Sequence, residues 1–117
     1  MPRTRSIKPE FWDDEKLATL SRDARLTFIG IWTCSDDYGV VKGHPRYLQN
    51  KIFPYDEIKP AVFLSWLQSL EWLHCIIPFK SDGEMYYYIT HFARHQKISH
   101  PSQRIYPEAP ESLRSDS

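Results

Sequence analysis

Two β-rich runs in the last third of the chain, Leu73–Phe79 and Met85–Thr90, flank the polar segment Lys80-Ser81-Asp82-Gly83-Glu84. An Asp-Gly pair between such runs is a strong short-range signal for a hairpin, because both residues accept the positive φ angles of a two-residue turn. The chain ahead of this hairpin reads as helical with one interruption. A first helical signal covers Asp13 to Leu20, and a stronger one follows Ser21, a natural N-cap, where Leu26, Ile29 and Trp32 recur at helical spacing with Phe28 and Ile31 beside them. This helix should end near Ser35, since Asp36-Asp37-Tyr38-Gly39 is turn chemistry, and Val40-Val41 then forms a short strand. Pro45 opens a short helix to about Lys51, with Tyr47, Leu48 and Ile52 on one side. Asp56 is expected to cap a longer helix over residues 57–71, with Ala61, Leu64, Leu67 and Leu70 in one stripe and Lys59, Phe63, Trp66 and Ser69 toward another.

Helix, short strand, helix, helix, hairpin is the order of an α+β winged helix-turn-helix: a three-helix core with a short strand and a β-hairpin wing. Extended arms precede and follow it. The expected division is residues 1–98 as the domain with a basic N-terminal arm, and residues 99–117 as a Pro-rich arm and disordered tail. With 117 residues, 41% of them hydrophobic and 15% aromatic, such a domain can bury a real core. No apolar run approaches the roughly 20 residues of a membrane helix, and the start lacks the apolar stretch of a secretory signal, so a cytoplasmic protein with no membrane association is expected. Cys34 and Cys75 each lie in an apolar stretch and read as buried, reduced thiols.

The 15 basic and 15 acidic residues cancel, which argues against a phosphate-binding domain until their distribution is considered. Residues 1–8 carry Arg3, Arg5 and Lys8 with no acid, and residues 94–104 carry Arg94, Lys97 and Arg104 with no acid. The intervening residues 9–93 hold eight basic and twelve acidic side chains. The arms are therefore the best electrostatic candidates for nucleic acid: Arg3-Thr4-Arg5 has the form of a flexible arm that enters a minor groove, and Arg94, His95 and Lys97 sit among an amide and an aromatic ring. A second basic group, Lys42, His44, Arg46 and Lys51, surrounds the short strand and the small helix. The longer helix is poorly equipped to read bases, offering Lys59 and Gln68 with two serines. Phe63 and Trp66 are either core or a protein interface.

Chemistry of other kinds finds little support in the residues. Paired metal ligands of the Cys-x-x-Cys type, a Gly-rich phosphate loop and a Gly-x-Ser-x-Gly elbow are all missing from the sequence. Asp13-Asp14-Glu15 and Asp36-Asp37 read as helix caps and solvated acids rather than magnesium ligands. No catalytic residues, no metal and no cofactor are expected.

Three stretches together carry a family resemblance: Arg5-Ser6-Ile7-Lys8-Pro9-Glu10-Phe11-Trp12, the run from Leu20 to Trp32, and Phe92-Ala93-Arg94-His95-Gln96-Lys97-Ile98-Ser99-His100-Pro101-Ser102. In this order and spacing, over residues 3–105, the chain resembles the N-terminal domain of phage and prophage replication initiators of the replisome-organiser type. The resemblance implies a winged-helix domain that binds origin DNA in a bacterial host cell, beside a separate region that engages helicase-loading proteins. It departs from the family in its neutral charge and weakly basic third helix, and it ends at Ser117 where the family would continue. The residues leave two classes of function open. One is non-enzymatic DNA binding in replication initiation, with transcriptional repression as a variant. The other is a protein-interaction winged helix that forms a homodimer or docks a replisome partner without touching DNA. His95-Gln96 either reads nucleic acid or ties the closing arm to the core.

Overall fold

The computed structural model describes residues 2–114. Its longest helices, α2 (Arg22–Cys34) and α4 (Pro60–Trp72), pack on each other and on α3 (Pro45–Ile52), beside an antiparallel sheet of β1 (Val40–Lys42), β2 (Ile76–Ser81) and β3 (Glu84–Ile89). One-turn helices α1 (Glu10–Asp13), α5 (Phe92–His95) and α6 (Glu111–Arg114) lie in the flanking segments. The domain is α+β, and none of its described helices is long and apolar enough to cross a membrane.

The first helical signal breaks in two. Instead of one helix over residues 13–20 there is α1 and then a 3-10 turn at Leu17–Thr19. Asp14 causes the break: its backbone is extended, and Oδ1 accepts from the amides of Lys16 at 2.9 Å and Leu17 at 3.1 Å. A short side-chain acceptor thus takes amides that a continuous helix would direct to backbone carbonyls. Ser21 caps α2 as its sequence position suggests, its Oγ accepting from the Ala24 amide at 3.1 Å.

The buried stripe of α2 is Ala24, Thr27, Phe28, Ile31 and Trp32, so Leu26, expected in the core, is half-exposed at 50%. Thr27 joins the stripe at little cost because its hydroxyl donates to the Asp23 carbonyl at 2.8 Å. Helix α4 starts three residues later than expected, at Pro60 rather than after a cap at Asp56. A proline disfavours the helical conformation in the residue before it, and Lys59 accordingly has ψ 135°. The α4 stripe is Phe63, Leu67 and Leu70, leaving Ala61 and Leu64 exposed.

The hairpin forms as its turn demands. Asp82 and Gly83 both have positive φ, 50° and 80°, and the register runs from Ile76 opposite Ile89 to Ser81 opposite Glu84. β1 adds on the other side of β3, with Val40 opposite Tyr88, giving the sheet order β1-β3-β2. Side chains alternate faces along β3. Tyr87 and Ile89 join the main core with Phe28, Trp32, Leu48, Phe63 and Leu67, whereas Tyr86 and Tyr88 face a second cluster with Val40 and Phe79.

The Pro-rich segment covers that second face. Residues 99–110 have no regular helix or strand, yet Ala109 is buried within the second cluster and Tyr106 packs on the Tyr86 ring at 5.9 Å. α6 follows, with Arg114 paired to Glu108 at 2.9 Å and donating to the Ala109 carbonyl. The expected tail is therefore a seated strap up to Arg114, and its last three positions lie outside the described residues.

Candidate nucleic-acid interface

The arginines of the N-terminal arm do not form a flexible cationic arm. The side chain of Arg5 is only 5% exposed, and its Nη1 meets Asp37 Oδ1 at 2.9 Å. Its remaining donors reach the last carbonyls of α2 and the turn beyond: Nε to Trp32 at 2.9 Å, and Nη2 to Ser35 at 3.0 Å and Asp36 at 3.1 Å. A guanidinium at a helix C-terminus satisfies carbonyls that have no intrahelical donor and opposes their partial negative charge. Its plane also lies over Phe92, 5.3 Å from the ring centre. Arg3 completes the cluster, pairing with Asp37 Oδ2 at 2.5 Å and with the Ser102 hydroxyl.

Asp36 and Asp37, which read from sequence as solvated acids, are both buried. Asp37 accepts from both arginines and from the Ser102 amide at 2.8 Å. Burial alone would raise its pKa, but the Ser102 amide and the two arginines outweigh that and hold the carboxyl below the usual carboxylate range. Asp36 accepts from the Tyr38 and Val40 amides and, at 3.4 Å, from Tyr106 N–H. Two adjacent carboxylates thus hold the N-terminal segment, the α2–β1 turn and the C-terminal strap together.

Gln96 is a second tie. Its Oε1 accepts from the Ser6 amide at 2.9 Å and its Nε2 donates to the Ser6 carbonyl at 2.8 Å, so a buried side-chain amide pairs with the arm as a neighbouring strand would. His95 stacks on Trp32, with ring centres 5.0 Å apart, and meets Phe28 edge-on. Burial, followed by the neighbouring His91, pushes the His95 pKa down to about 4, so it packs as a neutral ring. Between the two readings of His95-Gln96, the contacts are those of a tie to the core.

The second basic group is arranged differently. Lys42 ends β1, Lys51 lies in the last turn of α3, and their Nζ atoms stand over the same Tyr47 ring at 5.1 and 5.8 Å. His44 and Arg46 are exposed at the start of α3, and Asn50, which drew no attention in the sequence, follows Arg46 by one helical turn and is also exposed. Among the described residues none of Lys42, Arg46 and Lys51 makes an ion pair. Tyr47 gathers the two lysines because it is half-buried at the edge of the core, a position that its spacing beside Leu48 and Ile52 suggested.

The other candidates are dispersed. Arg94 and Lys97 are exposed near α5, and Arg104 lies over Tyr38 at 4.1 Å, on the strap. Lys59 and Gln68 are exposed at α4, but the exposed positions inside that helix, Ala61, Val62, Leu64, Ser65, Gln68, Ser69 and Trp72, carry no charge. Phe63 is fully buried and so forms no interface. Trp66 is half-buried against Phe53 and Phe63. The apolar surface of α4 lies instead at Val62, Leu64 and Trp72, which are 42%, 38% and 83% exposed. Their positions off the Phe63-Leu67-Leu70 stripe are the sequence signal that could have found them.

Cys34 and Cys75 are buried and unbridged. Burial raises both thiols, Cys75 to about 11, which leaves little thiolate for nucleophilic chemistry. No family model, curated protein or solved structure matches the chain.

Proposed function

We propose that this chain is a non-enzymatic winged-helix DNA-binding domain of the phage replication-initiator type, acting in a bacterial host. The element order and the sheet order β1-β3-β2 are those that a winged helix requires, with β2 and β3 as the wing. One observation carries the binding assignment: Lys42 and Lys51 converge on Tyr47, and Arg46 is exposed one position before that ring, so the end of β1 and α3 carry three cations that no described acid pairs with. In a helix-turn-helix the helix before the recognition helix crosses the phosphate backbone, and this cluster supplies cations there. Because α4 presents an uncharged face, the domain grips phosphates and takes little sequence information from that helix. The replication role rests on the resemblance over residues 3–105.

Fluorescence anisotropy with a labelled duplex at several salt concentrations tests this reading. Binding should weaken steeply with salt, and a Lys42→Ala/Arg46→Ala/Lys51→Ala variant should lower the slope of log K against log salt by about 0.9 for each phosphate that is no longer neutralised. Wild-type chain that binds no duplex at low salt, or a variant with an unchanged slope, defeats the reading.

A protein-docking function is the second reading, and the exposed Val62, Leu64 and Trp72 favour it. A salt-insensitive self-association abolished by Trp72→Ser, in a chain that does not bind duplex, would put it first.

A further inference from the structure

The C-terminal strap reaches the basic residues of β1 and α3 through Tyr106. Lys42 ends β1 opposite Tyr86 of β3, and the half-buried Tyr106 packs on the Tyr86 ring with centres 5.9 Å apart. Tyr106 and Lys42 accordingly line one small pocket of about 240 Å³, together with Tyr86 and Glu84. Glu84 makes no ion pair with Lys42. The phenol of Tyr106 also meets that of Tyr47: burial first, and then the Tyr47 hydroxyl, raise its pKa and keep its proton in place. Tyr47 is the ring over which both Lys42 and Lys51 stand.

Tyr106 is itself held from behind. Its amide donates to Asp36 Oδ2 at 3.4 Å, the Ser102 amide donates to Asp37 Oδ2 at 2.8 Å, and the Tyr38 hydroxyl donates to the Ser102 carbonyl at 3.0 Å. On its other side Ala109 is buried with Val40, Phe79 and Tyr88. A line of contacts therefore runs from the buried acids of the α2–β1 turn, through the strap, to the ring that gathers the two lysines. Its far end matters for binding because a lysine in solvent samples many rotamers, and a phosphate that pairs with it must freeze them. An aromatic face reduces that freedom in advance, but only while the ring keeps one orientation.

We infer, resting on the DNA-binding reading above, that Tyr106 is a positioning residue for the phosphate surface: its hydroxyl holds the Tyr47 ring and, through that ring, the ammonium groups of Lys42 and Lys51. The strap thereby sets how tightly the domain grips a duplex without supplying the contact itself. Tyr106 carries no charge and acts through Tyr47, so a search of the sequence for cations passes over it.

The test compares the full chain with its Tyr106→Phe variant, which keeps the ring on Tyr86 and removes only the hydroxyl. In the wild type, NMR should place the Cε protons of Lys42 and Lys51 upfield of those of the exposed Lys80, because they lie over an aromatic face. Tyr106→Phe should bring both toward Lys80, whereas Ile105→Ala, at an exposed neighbour on the strap, should not. By anisotropy with a mixed-sequence duplex, Tyr106→Phe should weaken binding about threefold, since part of the lysine freedom must then be frozen on binding. Added to Lys42→Ala/Lys51→Ala it should weaken binding no further, because no lysine is left to position. Lysine resonances that Tyr106→Phe leaves unmoved overturn the inference, as does a loss of affinity that adds in full to that of the lysine variant. Lysine resonances that move in a chain that binds no duplex defeat the function proposed above and leave the hold of Tyr106 on the lysines standing.

Discussion

Arg5 and Lys51 carry the same charge, yet one is sealed beneath the α2–β1 turn and the other stands in solvent over a tyrosine ring. Arg5 has a buried carboxylate, three backbone carbonyls and an aromatic face as partners, whereas Lys51 stands over the face of Tyr47. The first arrangement consumes its charge within the fold, and the second leaves it unpaired by any described acid. Clustered basic residues therefore do not by themselves locate a phosphate site. What decides is whether a carboxylate lies buried within reach: Asp37 does so for the arm, while among the described residues no acid pairs with the α3 cations.

Removing Asp37 should give the largest effect. Asp37→Ala leaves the guanidinium of Arg5 buried without its counter-charge, and breaking a buried pair from one side costs about 3–5 kcal/mol. Urea denaturation should show that loss, whereas Lys51→Ala should stay within about 0.5 kcal/mol of wild type. Comparable losses for the two variants would erase the distinction.

Acid should weaken the sealed region in two steps. The His95 pKa is lowered from 6.5 to about 4, so its contribution is complete above pH 6.5 and is lost as the pH falls from there to about 4. Asp37 is held below its ordinary 3.8, so its contribution is present above that value and is lost as the pH falls through the lower folded pKa. Stability measured against pH should show both steps, and His95→Phe should remove the first. A curve flat from pH 7 to pH 4 contradicts the burial of a neutral His95.

Gln96→Ala separates the arm from the rest of the sealed region. Losing the paired bonds to Ser6 should cost about 1–3 kcal/mol and speed hydrogen exchange at the Ser6 amide without affecting β3. Unchanged exchange at Ser6 would mean that the two arginines alone hold the arm.

The smallest stability effect is expected at the exposed site. Lys42→Ala/Lys51→Ala should leave thermal unfolding almost unmoved and, on the proposed function, lower duplex affinity and its salt dependence. Destabilisation as large as that of Gln96→Ala would mean that the lysines serve the fold through Tyr47 rather than a ligand.

Local chemistry was legible where a residue acts on its own backbone. Ser21 as a cap, Pro45 at the start of α3, Asp82-Gly83 as the hairpin turn and Val40-Val41 as a strand all follow from what those residues do to their own backbone. Errors arose where a side chain or a proline acted across an expected boundary. Asp14 took the amides of its successors, and Pro60 held Lys59 extended and moved the start of α4. Helical faces were harder, because Leu26 and Leu64 satisfy the same periodicity as Phe28 and Phe63; only packing partners decide which stripe turns inward.

The sequence by itself determined the order of the three main helices and the three strands, the hairpin and the position of the basic residues, since these depend on dihedral preferences and on charge read residue by residue. Only the tertiary structure decided which of those charges remain available. Arg3 meets Asp37 across 34 positions and Gln96 meets Ser6 across 90, and pairings so distant in the chain leave no local pattern to read.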